Sequence, residues 1–240
     1  RQARNGVNQD LVKEITEAMT TNESFFFRDI KPFDIFRDAT LPYYMDARID
    51  ARKLRIWCAA ASSGQEPYSL AMILSELGAM VSGWNIEILG TDISTGILEK
   101  AEEGLYSQFE VQRGLPVQFL VKYFEKEDEV WRIKNDIRSM VKYRKFNLLD
   151  DLKSLGRFDI VFCRNVLIYF DQETKTKILA EIAELMPDDG LLFLGGAETV
   201  LGISDLFRPI PKLRGVYEVA RNGAGESAFL AHSAVAAFTE

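Results

Sequence analysis

The stretch Lys53-Leu-Arg-Ile-Trp-Cys-Ala-Ala-Ala-Ser-Ser-Gly-Gln-Glu-Pro-Tyr-Ser-Leu-Ala-Met72 constrains the fold more than any other part of this chain. Residues 54–59 read as a buried strand, and Ala59 to Gly64 as a turn of small side chains. A helix follows over about 66–77, with Leu70, Ile73, Leu74 and Leu77 on one face. A second apolar strand over 86–91 then ends in an acid, Asp92. Strand, small turn, helix and strand in this order is the opening of an open α/β sheet.

The rhythm continues. A helix is expected over about 95–103, a strand ending at Phe146-Asn147-Leu148, a strand over 158–163, a helix over 173–186 and a strand over 191–194. Strands separated by helices imply a parallel sheet covered on both faces, with ligands beyond the carboxyl ends of the strands. Residues 104–145 break the pattern, and 42 structureless residues are rare in a compact domain. They read as a small inserted subdomain. Upstream, the spacing of Val7, Leu11, Ile15, Ala18 and Met19 is helical, and residues 30–50 look helical but broken by Pro32 and Pro42. The organisation expected is an N-terminal helical segment over 1–50, a catalytic domain over 51–222 with its insertion, and a flexible tail over 223–240.

Composition excludes several functions. A net charge of −7 argues against a nucleic-acid protein. The single histidine, His232, removes multi-His metal sites and His-based triads, and no metal is expected. Cys58 and Cys163 sit in apolar strands and read as reduced core residues of a cytoplasmic protein. No apolar run reaches the ~18 residues of a membrane helix.

The candidate site residues cluster at the strand ends. Small side chains at Ala59 to Gly64 let backbone amides approach a ligand, yet no G-x-G-x-x-G supports a dinucleotide. Glu66, at the helix start, disfavours a phosphate and suits a cationic amino group; ordinary helix N-terminal charge explains it equally well. Asp92 suits a pair of ribose hydroxyls, or else caps the helix that follows. Asn147 can pair with an adenine edge while Leu148 packs on its face. Arg164 and Asn165 face the same crevice, or else anchor a loop. In Phe25-Phe26-Phe27, a core plug accounts for Phe26 and one neighbour.

These segments resemble the CheR family of chemotaxis receptor methyltransferases, which are S-adenosylmethionine-dependent protein-glutamate O-methyltransferases. The resemblance rests on Thr20-Thr-Asn-Glu-Ser-Phe-Phe-Phe-Arg28, Ile56 to Ser69, Gly90-Thr-Asp-Ile93, Phe146-Asn-Leu-Leu-Asp150, Phe162-Cys-Arg-Asn-Val-Leu-Ile-Tyr-Phe-Asp171 and Leu194-Gly-Gly-Ala-Glu198, over about residues 18–220. It implies a class I (Rossmann-like) methyltransferase fold: an α/β, mostly parallel open sheet with helices on both faces and a small inserted β-subdomain. It also implies S-adenosylmethionine as cofactor, S-adenosylhomocysteine as product, and a chemoreceptor's cytoplasmic helical bundle as partner. By the same resemblance Asn22, Ser24 and Arg28 close over the cofactor, Ala60 stands in the first turn where the family usually has Gly, and Glu66 binds the methionine end. Asp92 takes the ribose, Asn147 and Leu148 frame the adenine, and Arg164 and Asn165 line the far side of the cofactor. Arg28 and Tyr169 fall near the transferred methyl and are the catalytic candidates. Family members usually carry a helical domain ahead of the Thr-Asn motif; about 19 residues precede it here, so that domain is expected to be truncated or absent. The stretch Phe124 to Trp131, acidic and free of Gly, is expected to bind a receptor C-terminal pentapeptide weakly or not at all. The alternatives are a carboxyl methyltransferase for another protein or a small molecule, and a non-catalytic cofactor-sensing module.

Overall fold

The computed structural model describes residues 23–220, 227–232 and 235. Asn22 and the helix expected over residues 7–20 lie outside them. Seven strands form the main sheet: β1 (Lys53–Ala59), β2 (Asn85–Asp92), β6 (Val141–Lys145), β7 (Ile160–Cys163), β8 (Leu191–Leu194), β9 (Phe207–Pro209) and β10 (Val216–Val219). Their order is β6-β2-β1-β7-β8-β10-β9. The first five run parallel, and β10 is antiparallel to both of its neighbours.

The central strands are apolar because both of their faces are covered. The period of two sends Leu54, Ile56, Cys58, Ile160, Phe162, Leu191 and Phe193 into one core layer. Their alternates Trp57, Ala59, Val161, Cys163, Leu192 and Leu194 enter the other. Phe162 and Phe193 stack with ring centroids 4.4 Å apart. Helix α3 (Gln65–Leu77) covers the first layer through Leu70, Ala71, Ile73 and Leu74. Helix α8 (Gln172–Leu185) covers the second through Ile178, Leu179, Ile182 and Ala183. Cys58 and Cys163 are buried free thiols on opposite layers.

The N-terminal helical run is less interrupted than its prolines suggest. Pro32 and Pro42 each lie at a helix start, in α1 (Lys31–Ile35) and α2 (Leu41–Ala47). Between them Phe36–Thr40 forms a π-helical turn, with the Leu41 amide donating to Phe36 O. That wider turn absorbs the missing N–H and the ring of Pro42 without ending the helix. At the far end of the run Tyr44 is fully buried, its hydroxyl 2.7 Å from Asp189 O and 2.9 Å from Asp159 O. Arg48 pairs with the Asp189 carboxylate at 2.6 Å.

The insertion is a separate three-stranded antiparallel sheet of β3 (Leu105–Ser107), β4 (Phe124–Glu127) and β5 (Val130–Ile133), ordered β3-β5-β4. The small helices α4 (Thr95–Glu103), α5 (Gln108–Gln112), α6 (Val117–Tyr123) and α7 (Asn135–Arg138) flank its strands along the chain. It ends sooner than the sequence break implies, because Val141–Lys145 joins the main sheet as its edge strand. This is the strand expected to end at Phe146-Asn147-Leu148, and its exposed Lys142, Arg144 and Lys145 suit an edge position, where charge guards against further pairing. Part of the segment expected as a tail packs onto the domain. Ser227 Oγ donates to Glu218 Oε2, and Phe229, in α9 (Ala228–Ala231), is buried against Tyr43 with ring centroids 5.1 Å apart.

The insertion grips the segment ahead of α1. Gly114 has φ +84°, and a Cβ there would lie 2.1 Å from Phe26 O. Phe26 itself is fully buried, edge-on to Tyr106 at 4.9 Å. Gly114→Ala is therefore expected to destabilise the domain by roughly 1–3 kcal/mol, since backbone must move on one side or the other. The urea midpoint should fall at constant slope; an unchanged midpoint would refute this contact.

Candidate active site

A cavity of about 380 Å³ opens beyond the carboxyl ends of β1, β2, β6 and β7. That volume suits a small-molecule site. Ser24, Arg28, Ala60, Glu66, Asp92, Asn147, Leu148, Arg164, Asn165 and Tyr169 all line it. They converge because the strands that carry them are neighbours in the sheet, although more than a hundred residues separate Arg28 from Arg164.

The two turns at the first strand ends are tied through Asp92. Its Oδ2 accepts from the Ser62 amide at 2.9 Å and its Oδ1 from the Ser94 amide at 3.1 Å. Ser94, not Asp92, caps the following helix, its hydroxyl accepting from Ile97 N. The capping alternative for Asp92 is thereby taken by its neighbour, and the carboxylate stands braced toward the cavity. Asn147 Oδ1 accepts from the Leu149 amide at 3.0 Å, which leaves its NH₂ as the group able to meet a ligand acceptor.

Arg164 is the electrostatic centre. Its side chain is 1% exposed and reaches Glu66 Oε2 at 2.6 Å, Asp29 Oδ2 at 2.7 Å and Arg28 O at 2.8 Å. Its Nε is buried without a partner. The guanidinium thus does anchor a loop, as one sequence reading held, while its residue also lines the cavity. Burial pushes the Glu66 carboxyl above the usual carboxylate range, and the Arg164 guanidinium pulls it part of the way back. Glu66 Oε1 is the oxygen left to receive a cation. Asp29 was not foreseen: it is half-exposed, and nothing in its spacing connects it to a residue 135 positions away.

The segment Glu23 to Ile30 forms a strap along the cavity. Phe26 and Phe27 are buried in the core, as the core-plug reading of two of the three phenylalanines requires, while Phe25 lines the cavity. Arg28 and Arg113 both lie near the Phe25 ring, at 5.4 and 4.4 Å from its centroid. Arg113 also pairs with Glu23 at 2.6 Å, which holds the Glu23 carboxyl below its usual range. Arg28 Nη1 donates to Glu23 O at 2.8 Å.

Backbone strain concentrates here. Ala60, Ser62 and Asn165 have φ of 55°, 51° and 58°, and in the strap Phe27, Asp29 and Ile30 have 51°, 70° and 53°. Such conformations cost on the order of 1–3 kcal/mol each and persist where surrounding contacts impose them. Ala60 stands at a left-handed position that a glycine occupies without strain. Tyr169 is 61% exposed at the rim. His232 packs against Tyr43 and lies 3.6 Å from Asp46, and it does not line the cavity. Among the described residues no cluster has metal-ligand geometry, and no helix is long and apolar enough to cross a membrane.

A parallel sheet with its reversed strand β10 inserted beside β8, and an acid-lined cavity at the β1 and β2 ends, define the class I methyltransferase fold. The family profile "CheR methyltransferase, SAM binding domain" matches residues 22–216. Cher2, a chemotaxis protein methyltransferase of Pseudomonas putida, is 40% identical over 217 residues, covering 88% of this chain and 78% of that protein. Chemotaxis protein methyltransferase 1 of Pseudomonas aeruginosa is 43% identical over 202 residues, 82% of this chain and 73% of its own length. A chemotaxis protein methyltransferase of Vibrio parahaemolyticus is 39% identical over 208 residues, 85% of this chain and 74% of its own length. The chain belongs to the CheR methyltransferase family: it is a methyltransferase whose cofactor is S-adenosylmethionine.

The cavity suits that cofactor. The free oxygen of Glu66 fits an amino group, the braced Asp92 fits a diol, and Leu148 with the Asn147 amide fits an adenine. If Glu66 holds the ammonium, cofactor affinity should weaken as pH falls through the raised pKa of Glu66, because the protonated carboxyl no longer offers a charge. The ammonium stays charged throughout. The decline should begin above the ordinary glutamate range of about 4.3. Calorimetry with S-adenosylhomocysteine across pH tests this; Glu66→Gln should bind more weakly at neutral pH and lose that part of the pH dependence. A wild-type profile in the variant would remove Glu66 from the amino-group site.

Proposed function

We propose that this chain transfers the methyl group of S-adenosylmethionine to glutamate side chains on the cytoplasmic helical bundle of chemoreceptors, forming glutamyl methyl esters. The observation that carries the reading is the mouth of the cavity. Arg28 and the exposed Tyr169 line it, with no histidine among the lining residues. A glutamate carboxylate has a pKa near ~4.3 and is already ionised at neutral pH, so the reaction asks for no general base. It asks for alignment, exclusion of water and a hold on one carboxylate oxygen.

The bound cofactor supplies an electrophilic methyl on a sulfonium sulfur. A carboxylate oxygen forms the new bond to that carbon as the carbon–sulfur bond breaks, and no proton moves. The Arg28 guanidinium and the Tyr169 hydroxyl orient the acceptor carboxylate. Phe25, Val166 and Phe170 give the cavity apolar wall. Opposite charges are consumed in the step, so a poorly hydrated wall disfavours the charged reactants more than the transition state.

Two relatives named as chemotaxis protein methyltransferases support the receptor as partner. The receptor's cytoplasmic face is where this chain would act. A C-terminal receptor pentapeptide is not part of the proposed recognition. The turn joining β4 to β5 places Asp128 at φ 50°, between Glu127 and Glu129, so its tip is acidic and carries a side chain where a glycine would leave backbone open.

Incubation with radiolabelled cofactor and receptor cytoplasmic fragments should give base-labile label on glutamate. No label on any receptor fragment, with label on another carboxylate acceptor, would favour a different substrate. Arg28→Ala should lower kcat by roughly 10²-fold, the usual effect of losing one aligned transition-state donor, and Tyr169→Phe by a smaller factor. Wild-type kcat in both variants would sink their assignment. Isothermal titration with a receptor C-terminal pentapeptide should show no micromolar binding; a micromolar complex would contradict the reading of the acidic turn.

A further inference from the structure

Arg164, Asn165 and Tyr169 lie on one loop, and the carboxylate of Glu198 holds that loop from outside it. Glu198 follows β8 and is half-buried. Its Oε2 accepts from the Asn165 amide at 2.7 Å and from the Gly195 amide at 2.7 Å. Its Oε1 accepts from the amides of Val166 at 2.9 Å, Leu167 at 2.7 Å and Ile168 at 3.3 Å. Four consecutive loop amides therefore converge on one carboxylate. Converging amides of this kind form an anion site, and here the chain's own side chain fills it. The approach depends on Gly195: a Cβ there would lie 2.7 Å from Glu198 Oε2 and 2.9 Å from the Asn165 amide. Asn165, at φ 58°, turns the loop so that its amide faces the carboxylate.

We infer that Glu198 is a positioning residue for methyl transfer, setting the Asn165–Tyr169 loop so that the Tyr169 hydroxyl meets the acceptor carboxylate. The tyrosine's part in this rests on the function proposed above. Glu198 acts on turnover more than on cofactor retention, because Arg164 has anchors of its own in Glu66, Asp29 and Arg28 O. In Glu198→Gln the amide NH₂ replaces one accepting oxygen and faces N–H donors. An isosteric change thereby removes acceptors from amides that have no other partner in the loop.

The decisive experiment combines hydrogen exchange with kinetics on the full chain bound to S-adenosylhomocysteine. In Glu198→Gln the amides of residues 165–168 should exchange at least roughly tenfold faster, while those of β1 and β7 keep wild-type protection. S-adenosylhomocysteine affinity should stay within a factor of about three, and kcat should fall roughly 10- to 100-fold with little change in KM for the receptor fragment. In a Tyr169→Phe background the same substitution should cost much less, because both changes act through one group. Unchanged exchange at 165–168, or wild-type kcat beside faster exchange, would overturn the inference. So would an undiminished loss in the Tyr169→Phe background. Should Glu198→Gln not fold, Glu198→Asp, which keeps the charge but is one methylene shorter, must show the same pattern at smaller amplitude. If the wild-type chain labels no receptor fragment, the substrate reading fails, and the exchange and affinity arms still decide whether Glu198 holds the loop.

Discussion

The Arg164 guanidinium is the interaction on which the rest of the site depends. A charge this far from water is tolerated only when paired, and removing one partner of a buried pair costs about 3–5 kcal/mol. Its acceptors come from two elements, Glu66 from the start of α3 and Asp29 with the Arg28 carbonyl from the strap, while Arg164 itself stands at the end of β7. One side chain thus fixes the helix, the strap and the sheet relative to one another. It also keeps Glu66 useful. Burial alone drives that carboxyl toward its neutral form, and the neighbouring cation opposes this, so the site retains an anion able to meet a positively charged ligand group.

The strained backbone follows from the same crowding. Close approach of a ligand to β1 and β7 requires the chain to turn sharply at Ala60, Ser62 and Asn165, and the turns are held by bonds between elements. Asp92 accepts from Ser62, and Glu198 accepts from Asn165. Both braces are carboxylates that accept backbone amides, so part of the negative charge around this cavity is structural. The π turn ahead of Pro42 is another local departure from regular geometry, and its cause is the proline ring.

Much of this was legible in the sequence because the relevant signals are local. The apolar runs of β1, β7 and β8 declare strands buried on both faces, and residues at the ends of parallel neighbours must meet, which is why Glu66, Asp92, Asn147 and Arg164 share a cavity. The unread parts are those whose partners are distant or whose signal is disguised. Asp29 reads as one more surface acid until Arg164 is placed beside it. Glu198 sat in a recognisable Leu194–Glu198 segment without a role, since no spacing rule links an acid to four amides some thirty residues earlier. The packing of Phe229 depends on Tyr43 at the other end of the chain. Asn22 falls outside the described residues, so its part in closing the site stays with the resemblance.

The contact between Gly114 and the Phe26 carbonyl couples two properties that are usually thought independent. The inserted sheet shares no strand with the main sheet, so its exposed surfaces can diversify without rebuilding the cavity. Its Arg113–Gly114 corner, however, leans on the strap that lines the cavity. Substitution in the insertion is therefore least constrained at its outer hairpin and most constrained at this corner, where a single added carbon would press on the Phe26 carbonyl and shift the wall of the cavity.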